Sequence, residues 1–191
     1  MLCQPLRMLR YLAAICLCHP AFAADCPAPP DHTVALDALI ERVQRAPDQA
    51  SAQILSGEMW QYWADAPDDT AQEILNRGMR KRESWDLLGA RSDFDALIAY
   101  CPDYAEGYNQ RAFVNFLSQN FEAALPDLER ALDLSPRHVA AQSGLALTLI
   151  GLGREAEAQD ALAAALELNP WLPERSLYRA PGVSDKPGED L

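Results

Sequence analysis

The chain has 191 residues and is 49% hydrophobic, which suits one packed domain with its own core. Its formal net charge is −12, from 28 acidic and 16 basic residues, so nucleic acid and anionic membrane surfaces, which require basic patches, are excluded as partners. A solvated acidic surface is ordinary, and the charge says nothing more specific.

The first 23 residues read as a cleavable secretory signal peptide. Arg7 and Arg10 form a basic start, residues 11–18 are an apolar run, and Ala21-Phe22-Ala23 fits the small-x-small cleavage rule. The run is far shorter than the ~20 residues a bilayer span needs. The mature chain is expected to begin at Ala24, and its net charge falls to −14 once Arg7 and Arg10 are removed. Ala24-Asp25 before Cys26 is unsuitable for lipid attachment, so a product without stable membrane insertion is expected, with the bacterial periplasm as its compartment.

Residues 24–70 follow as a proline-rich lead and a helical pair. Leu36, Leu39, Ile40 and Val43 share one helical face; Ala52, Leu55, Met59 and Trp63 share another. Pro47-Asp48 marks the turn between them, and Ala66-Pro67 ends the second. The pair is expected to cover the open edge of the repeat that follows, as terminal units of a stack do. Trp60, Tyr62 and Trp63 allow an aromatic-cage reading, but Trp63 continues the apolar face, which favours core packing.

From residue 71 the chain repeats itself. Pro102, Pro136 and Pro170 lie 34 residues apart and close three segments, 71–104, 105–138 and 139–172. Position 8 is Gly78, Ala112 and Ala146; position 20 is Ala90, Ala124 and Ala158; position 24 is Phe94, Leu128 and Leu162. A fixed period of this length marks stacked supersecondary units, none able to bury its apolar face alone. Each unit reads as two helices. In the second these are 105–117 and 121–134, joined by Ser118-Gln119-Asn120 and stopped by Ser135-Pro136. Pro126, inside the second helix, predicts a late start or a bend.

These columns resemble the tetratricopeptide repeat family, in particular its bacterial envelope members. That pattern asks for a bulky residue at position 4, small residues at 8, 20 and 27, large apolar ones at 17 and 24, and proline at 32. The second repeat meets it with Tyr108, Ala112, Phe121, Ala124, Leu128, Ala131 and Pro136. The third departs at Gln142 and Glu155, the first at Ile74 and Leu97. The resemblance implies an all-α fold: a right-handed superhelical stack of antiparallel helix pairs. Residues 173–180 are then a C-terminal cap, with Trp171 and Leu172 covering the last repeat. Residues 181–191, rich in proline, glycine and charge, read as a disordered tail.

The resemblance also implies a binding groove on the first helix of each repeat, at positions 5, 9 and 12. Here these are Leu75, Met79 and Arg82; Asn109, Phe113 and Phe116; Ser143, Leu147 and Ile150. Position 2 adds Gln72, Glu106 and Ala140. The groove grades from charged to apolar along the stack and suits a peptide or helix with apolar anchors. The lysine and asparagine set with which some members clamp a terminal carboxylate is absent.

No catalytic constellation is present. His32 and His138 are the two histidines beyond the signal and read as too isolated for a metal site. Gly151-Leu152-Gly153 is a helix-to-helix turn, and no phosphate loop or nucleophile motif occurs. No cofactor, metal or enzyme activity is expected. The function implied is a protein-binding module of the cell envelope. The alternative is a structural or oligomerising subunit whose groove its own termini fill. Activity in the purified chain would instead mark an enzyme.

Two pairings complete the reading. Cys26 and Cys101 remain after signal removal, an even number in an exported chain, and are expected to form a disulfide. Position 7 is Arg77 and Arg111 where position 23 is Asp93 and Asp127; in the third repeat both change together, to Leu145 and Ala161. Arg77 is therefore expected to pair with Asp93, and Arg111 with Asp127, as structural ion pairs.

Overall fold

The computed structural model describes residues 26–179, in which the chain forms eight α-helices and one 3-10 turn, with no strand among the described residues. The segments expected to be a signal peptide, residues 1–23, and a disordered tail, residues 181–191, lie outside them. The helices are α1 (Thr33–Gln44), α2 (Gln49–Trp63), α3 (Asp69–Glu83), α4 (Leu87–Tyr100), α5 (Ala105–Leu117), α6 (Phe121–Leu134), α7 (Val139–Gly151) and α8 (Glu155–Leu168). The three repeats are the pairs α3–α4, α5–α6 and α7–α8, each stacked on the next.

Local chemistry sets the helix ends. The side chains of Asp48, Asp68 and Asp86 accept from the backbone N–H groups of Ser51, Ala71 and Gly89, capping α2, α3 and α4. At position 15 the chain turns through the left-handed region in every repeat, at Trp85 (φ 63°), Gln119 (φ 57°) and Gly153 (φ 70°). The next N–H in each case donates to the position-11 carbonyl at 2.9 Å, a Schellman closure. Glycine suits that conformation only in the third repeat; the others hold it at a cost of about 1–2 kcal/mol each. Pro126 causes no late start: α6 begins at Phe121 and runs through it.

Packing between the paired helices follows the columns. In the first repeat Gly78 faces Phe94, and a Cβ on Gly78 would lie 2.5 Å from the Phe94 ring. The other repeats solve the same space as Ala112 with Leu128 and Ala146 with Leu162, all buried. Glycine thus makes room for the larger ring. Gly78→Ala is expected to destabilise by about 1–2 kcal/mol, because overpacking outweighs the gain in helix propensity. Adding Phe94→Leu should recover most of the loss in urea unfolding; no recovery would mean that the two positions do not share this space.

The ion pairs form between the paired helices. Arg77 Nε donates to Asp93 Oδ1 at 2.9 Å, and Lys81 Nζ lies 2.7 Å from Asp93 Oδ2. Arg111 grips Asp127 with Nε (2.8 Å) and Nη2 (2.5 Å), while its Nη1 reaches Asp95 of the preceding repeat at 2.8 Å. In the third repeat Leu145 and Ala161 pack in one apolar cluster instead. Burial alone would raise the Asp93 carboxyl, but hydrogen bonds from Lys81 and Arg77 outweigh it and hold the group below the usual carboxylate range. A depressed folded-state pKa gives stability that is full above the unfolded value of about 3.9 and is lost as pH falls through the folded one. Asp93→Asn is therefore expected to flatten the acid limb of stability below about pH 4. Urea midpoints between pH 7 and pH 3 that fall equally in both proteins would contradict this.

The N-terminal hairpin α1–α2 departs from expectation. Its faces are those read from the sequence, with Leu39, Ile40, Val43, Ala52, Leu55, Met59 and Trp63 all buried. They do not pack on the open face of the first repeat. They gather with Val139, Leu168, Trp171 and Leu172, from the far end of the stack. The hairpin lies across the junctions between repeats, where position 34 supplies Tyr104, His138 and Leu172. Tyr104 donates to the Trp63 carbonyl at 2.7 Å, and the His138 ring stacks on the Trp63 indole at 4.3 Å. Gln44 donates to the Glu167 carbonyl at 2.7 Å, and Asn169 to Ser56 at 3.2 Å. Asp37 pairs with Arg137. A disulfide joins Cys26, just before α1, to Cys101 at the end of α4.

The C-terminal turn Pro173–Leu177 follows α8. Trp171 and Leu172 face the hairpin rather than the last repeat's outer side, which Tyr178 partly covers instead.

Candidate interaction site on the concave face

The first helices of the repeats share a concave face, to which α3 brings Arg82 and α5 and α7 bring about two turns each. There they line a pocket of about 310 Å³. Five of the nine expected groove residues meet in it: Arg82, Asn109, Phe113, Phe116 and Leu147. Phe113 is 43% exposed, and Phe116 packs edge-on to Phe121 at 5.5 Å. The other four serve the core. Leu75 and Ser143 are buried, while Met79 and Ile150 pack against the clusters of the first and third repeats. Ala140 at position 2 joins the lining; Gln72 instead accepts from the Ala66 N–H at 3.0 Å.

Two walls come from outside the repeats. Trp60 of α2 and Glu174 of the C-terminal turn complete the pocket, because the hairpin and the cap meet along this edge. The concave face is thereby narrowed from an open groove to a socket. The helical face accounted for neither Trp60 nor Tyr62, and Trp60 is the one that enters the socket.

Behind the socket runs a buried polar network that the sequence columns did not announce. Glu106 is 1% exposed and accepts from Asn109 Nδ2 at 3.0 Å, from Gln110 Nε2 and from His138 Nε2 at 2.8 Å. His138 Nδ1 accepts the Ala141 N–H at 3.3 Å, which places the ring proton on Nε2. Gln110 Oε1 in turn accepts from Arg82 Nη1. One chain of contacts therefore runs from Arg82 in the socket, through α5, to Trp63 on the hairpin. The signal available was position 34, where the second repeat has His138 and the others have Tyr104 and Leu172.

His32 and His138, read as isolated, line one further cleft of about 320 Å³ on the other side of α2. His32 Nε2 lies 2.7 Å from Asp65, and Asp31, Asp103 and Glu106 complete an acidic lining. Burial, with the charges of Glu106 and Asp65, pushes the Tyr104 hydroxyl far up, so it stays a donor to Trp63. No three of these or other His, Cys, Asp or Glu side chains among the described residues are placed to hold a metal ion.

A family profile described as Tetratricopeptide repeat matches residues 116–171. A TPR repeat-containing protein of Rhizobium etli is 32% identical over 120 residues, covering 63% of this chain and 59% of that protein. Residues 116–171 belong to the tetratricopeptide repeat family. A tetratricopeptide repeat protein 36 homolog of Nematostella vectensis is 38% identical over 71 residues, covering 37% of this chain and 39% of its own. The chain thus spans about half the length of these curated relatives. Among solved structures, the TPR2B domain of yeast Sti1, in a complex with pHsp70, is 26% identical with a TM-score of 0.52, covering 53% of this chain and 81% of that domain. Tetratricopeptide stacks are protein–protein interaction scaffolds, and the antiparallel helix pairs here are of that kind. No described helix is long and apolar enough to cross a membrane.

Proposed function

We propose that this protein is a non-catalytic interaction module, exported to the bacterial periplasm, whose concave socket receives a segment of a protein partner. The observation that carries the reading is the exposed Phe113 beside Phe116 and Leu147, an apolar lining left open at the centre of an interaction scaffold. The Sti1 domain, which forms a complex with pHsp70, supports a protein chain as the class of partner. The basic, apolar and small-residue order of residues 1–23 supports export, as does the Cys26–Cys101 bond.

The structural alternative, a self-filled groove, has one observation in its favour: Trp60 and Glu174 occupy the edge of the concave face. They narrow it but leave about 310 Å³ open, room for one or two side chains of a partner. A photoreactive group at position 116, used in cells, is expected to give a defined adduct. Phe113→Ala should reduce its yield by roughly tenfold, as loss of an anchor side chain does. An unchanged yield would favour the structural subunit.

A further inference from the structure

Among the described residues, Arg82 is the only basic one lining the concave socket. Its side chain is 15% exposed, and its guanidinium lies over the Phe113 ring, 5.2 Å from the centroid. The bond to Gln110 uses one of its five N–H donors. Its ion pair, with Glu83, is long at 3.9 Å and set on a residue 68% exposed. Burial lowers its pKa, and the charges of Glu83 and Glu106 only oppose that shift. In a chain of net charge −12, a largely buried cation whose ion pair is a long one to an exposed carboxylate is out of character. Such a cation is complemented by an anion, and a planar guanidinium fits a carboxylate with two parallel bonds.

Asn109, Gln110, Thr148 and Glu174 are the other polar members of the lining, and the remainder is apolar. Phe113, Phe116, Leu147 and Trp60 stand around a volume of about 310 Å³, at the small end of ligand pockets, which run from about 300 to 1,000 Å³. We propose that the socket binds a small amphipathic carboxylic acid, its carboxylate on Arg82 and its aliphatic or aromatic body against these rings. A free acid fits whole within the volume that Trp60 and Glu174 leave, where a partner segment inserts only one or two side chains. Glu174 is the other charged residue facing the socket, and it opposes an anion. The acid goes beyond the partner reading and does not depend on it. It occupies Phe113 and Phe116, so acid and partner compete.

Calorimetry on the purified chain tests this with decanoate, decanol and decylammonium at pH 7.5, below their aggregation limits. Decanoate is expected to bind roughly tenfold more tightly than either relative. Arg82→Gln should abolish the preference for decanoate over decanol while leaving decanol binding in place, which also reports that the socket is intact. Glu174→Gln should tighten decanoate by a few-fold. Equal binding of decanoate and decanol by the unaltered chain, tighter binding of decylammonium, or no binding of decanoate would each overturn the proposal. Since no partner enters the assay, its failure leaves the crosslinking result at position 116 to stand or fall alone.

Discussion

Reducing the Cys26–Cys101 bond is expected to lower the unfolding free energy by about 4 kcal/mol. The bond closes a loop spanning 75 residues, and the chain-entropy account of cross-links gives a value of that order for a loop of this length. It joins the lead before α1 to the buried end of α4, where Cys101 is 2% exposed. The effect should not be uniform. The hairpin cluster is largely its own, with Val139 as its one fully packed residue from the repeats, so α1 has the least to hold it once the lead is free. Urea unfolding with and without reductant checks the size, and amide exchange checks the place: protection in α1 should fall before that in α5. Equal midpoints for oxidised protein and a Cys26→Ser variant would contradict the account.

Arg111→Leu is expected to cost about 3 kcal/mol. The substitution strands Asp127, which is 5% exposed, and removes the tie to Asp95 of the preceding repeat. The bond to Asp127 is the main reason the Arg111 guanidinium is held charged; burial opposes it and Asp95 adds to it. Asp127→Ala in the same chain should recover much of the loss, since the third repeat fills these places with Leu145 and Ala161 and packs them in its core. A double-mutant cycle from thermal or urea unfolding gives the coupling. Strictly additive losses would mean that the pair carries no energy of its own.

The repeats were legible because each column is a local packing rule applied three times. Gly78, Ala112 and Ala146 face the position-24 side chains in the structure as the columns imply. The pairing of Arg77 with Asp93 and of Arg111 with Asp127 was legible for a related reason: the third repeat changes both members together. The hairpin's apolar faces were legible too, from helical spacing, but not its destination. A face states that it is buried, not against what, and the partners lie about a hundred residues away, as with Gln44 and Glu167 or Asp37 and Arg137. The socket inherits that limit. Phe113 and Phe116 follow from repeat position, whereas Trp60 and Glu174 reach the same cavity only through the hairpin's docking. Glu106 and His138 were hidden differently. A carboxylate on a helix reads as a solvated residue until its donors are seen to surround it.

The hairpin crosses the repeat junctions and narrows the concave face to a socket. Nuclear Overhauser contacts from the Trp63 indole test it most directly. Contacts to the His138 ring, whose centroid lies 4.3 Å away, are expected, together with contacts between Gln44 and the end of α8. A Trp63 indole that instead contacts only residues of α3 and α4, with none to His138, would place the hairpin on the first repeat and contradict the account.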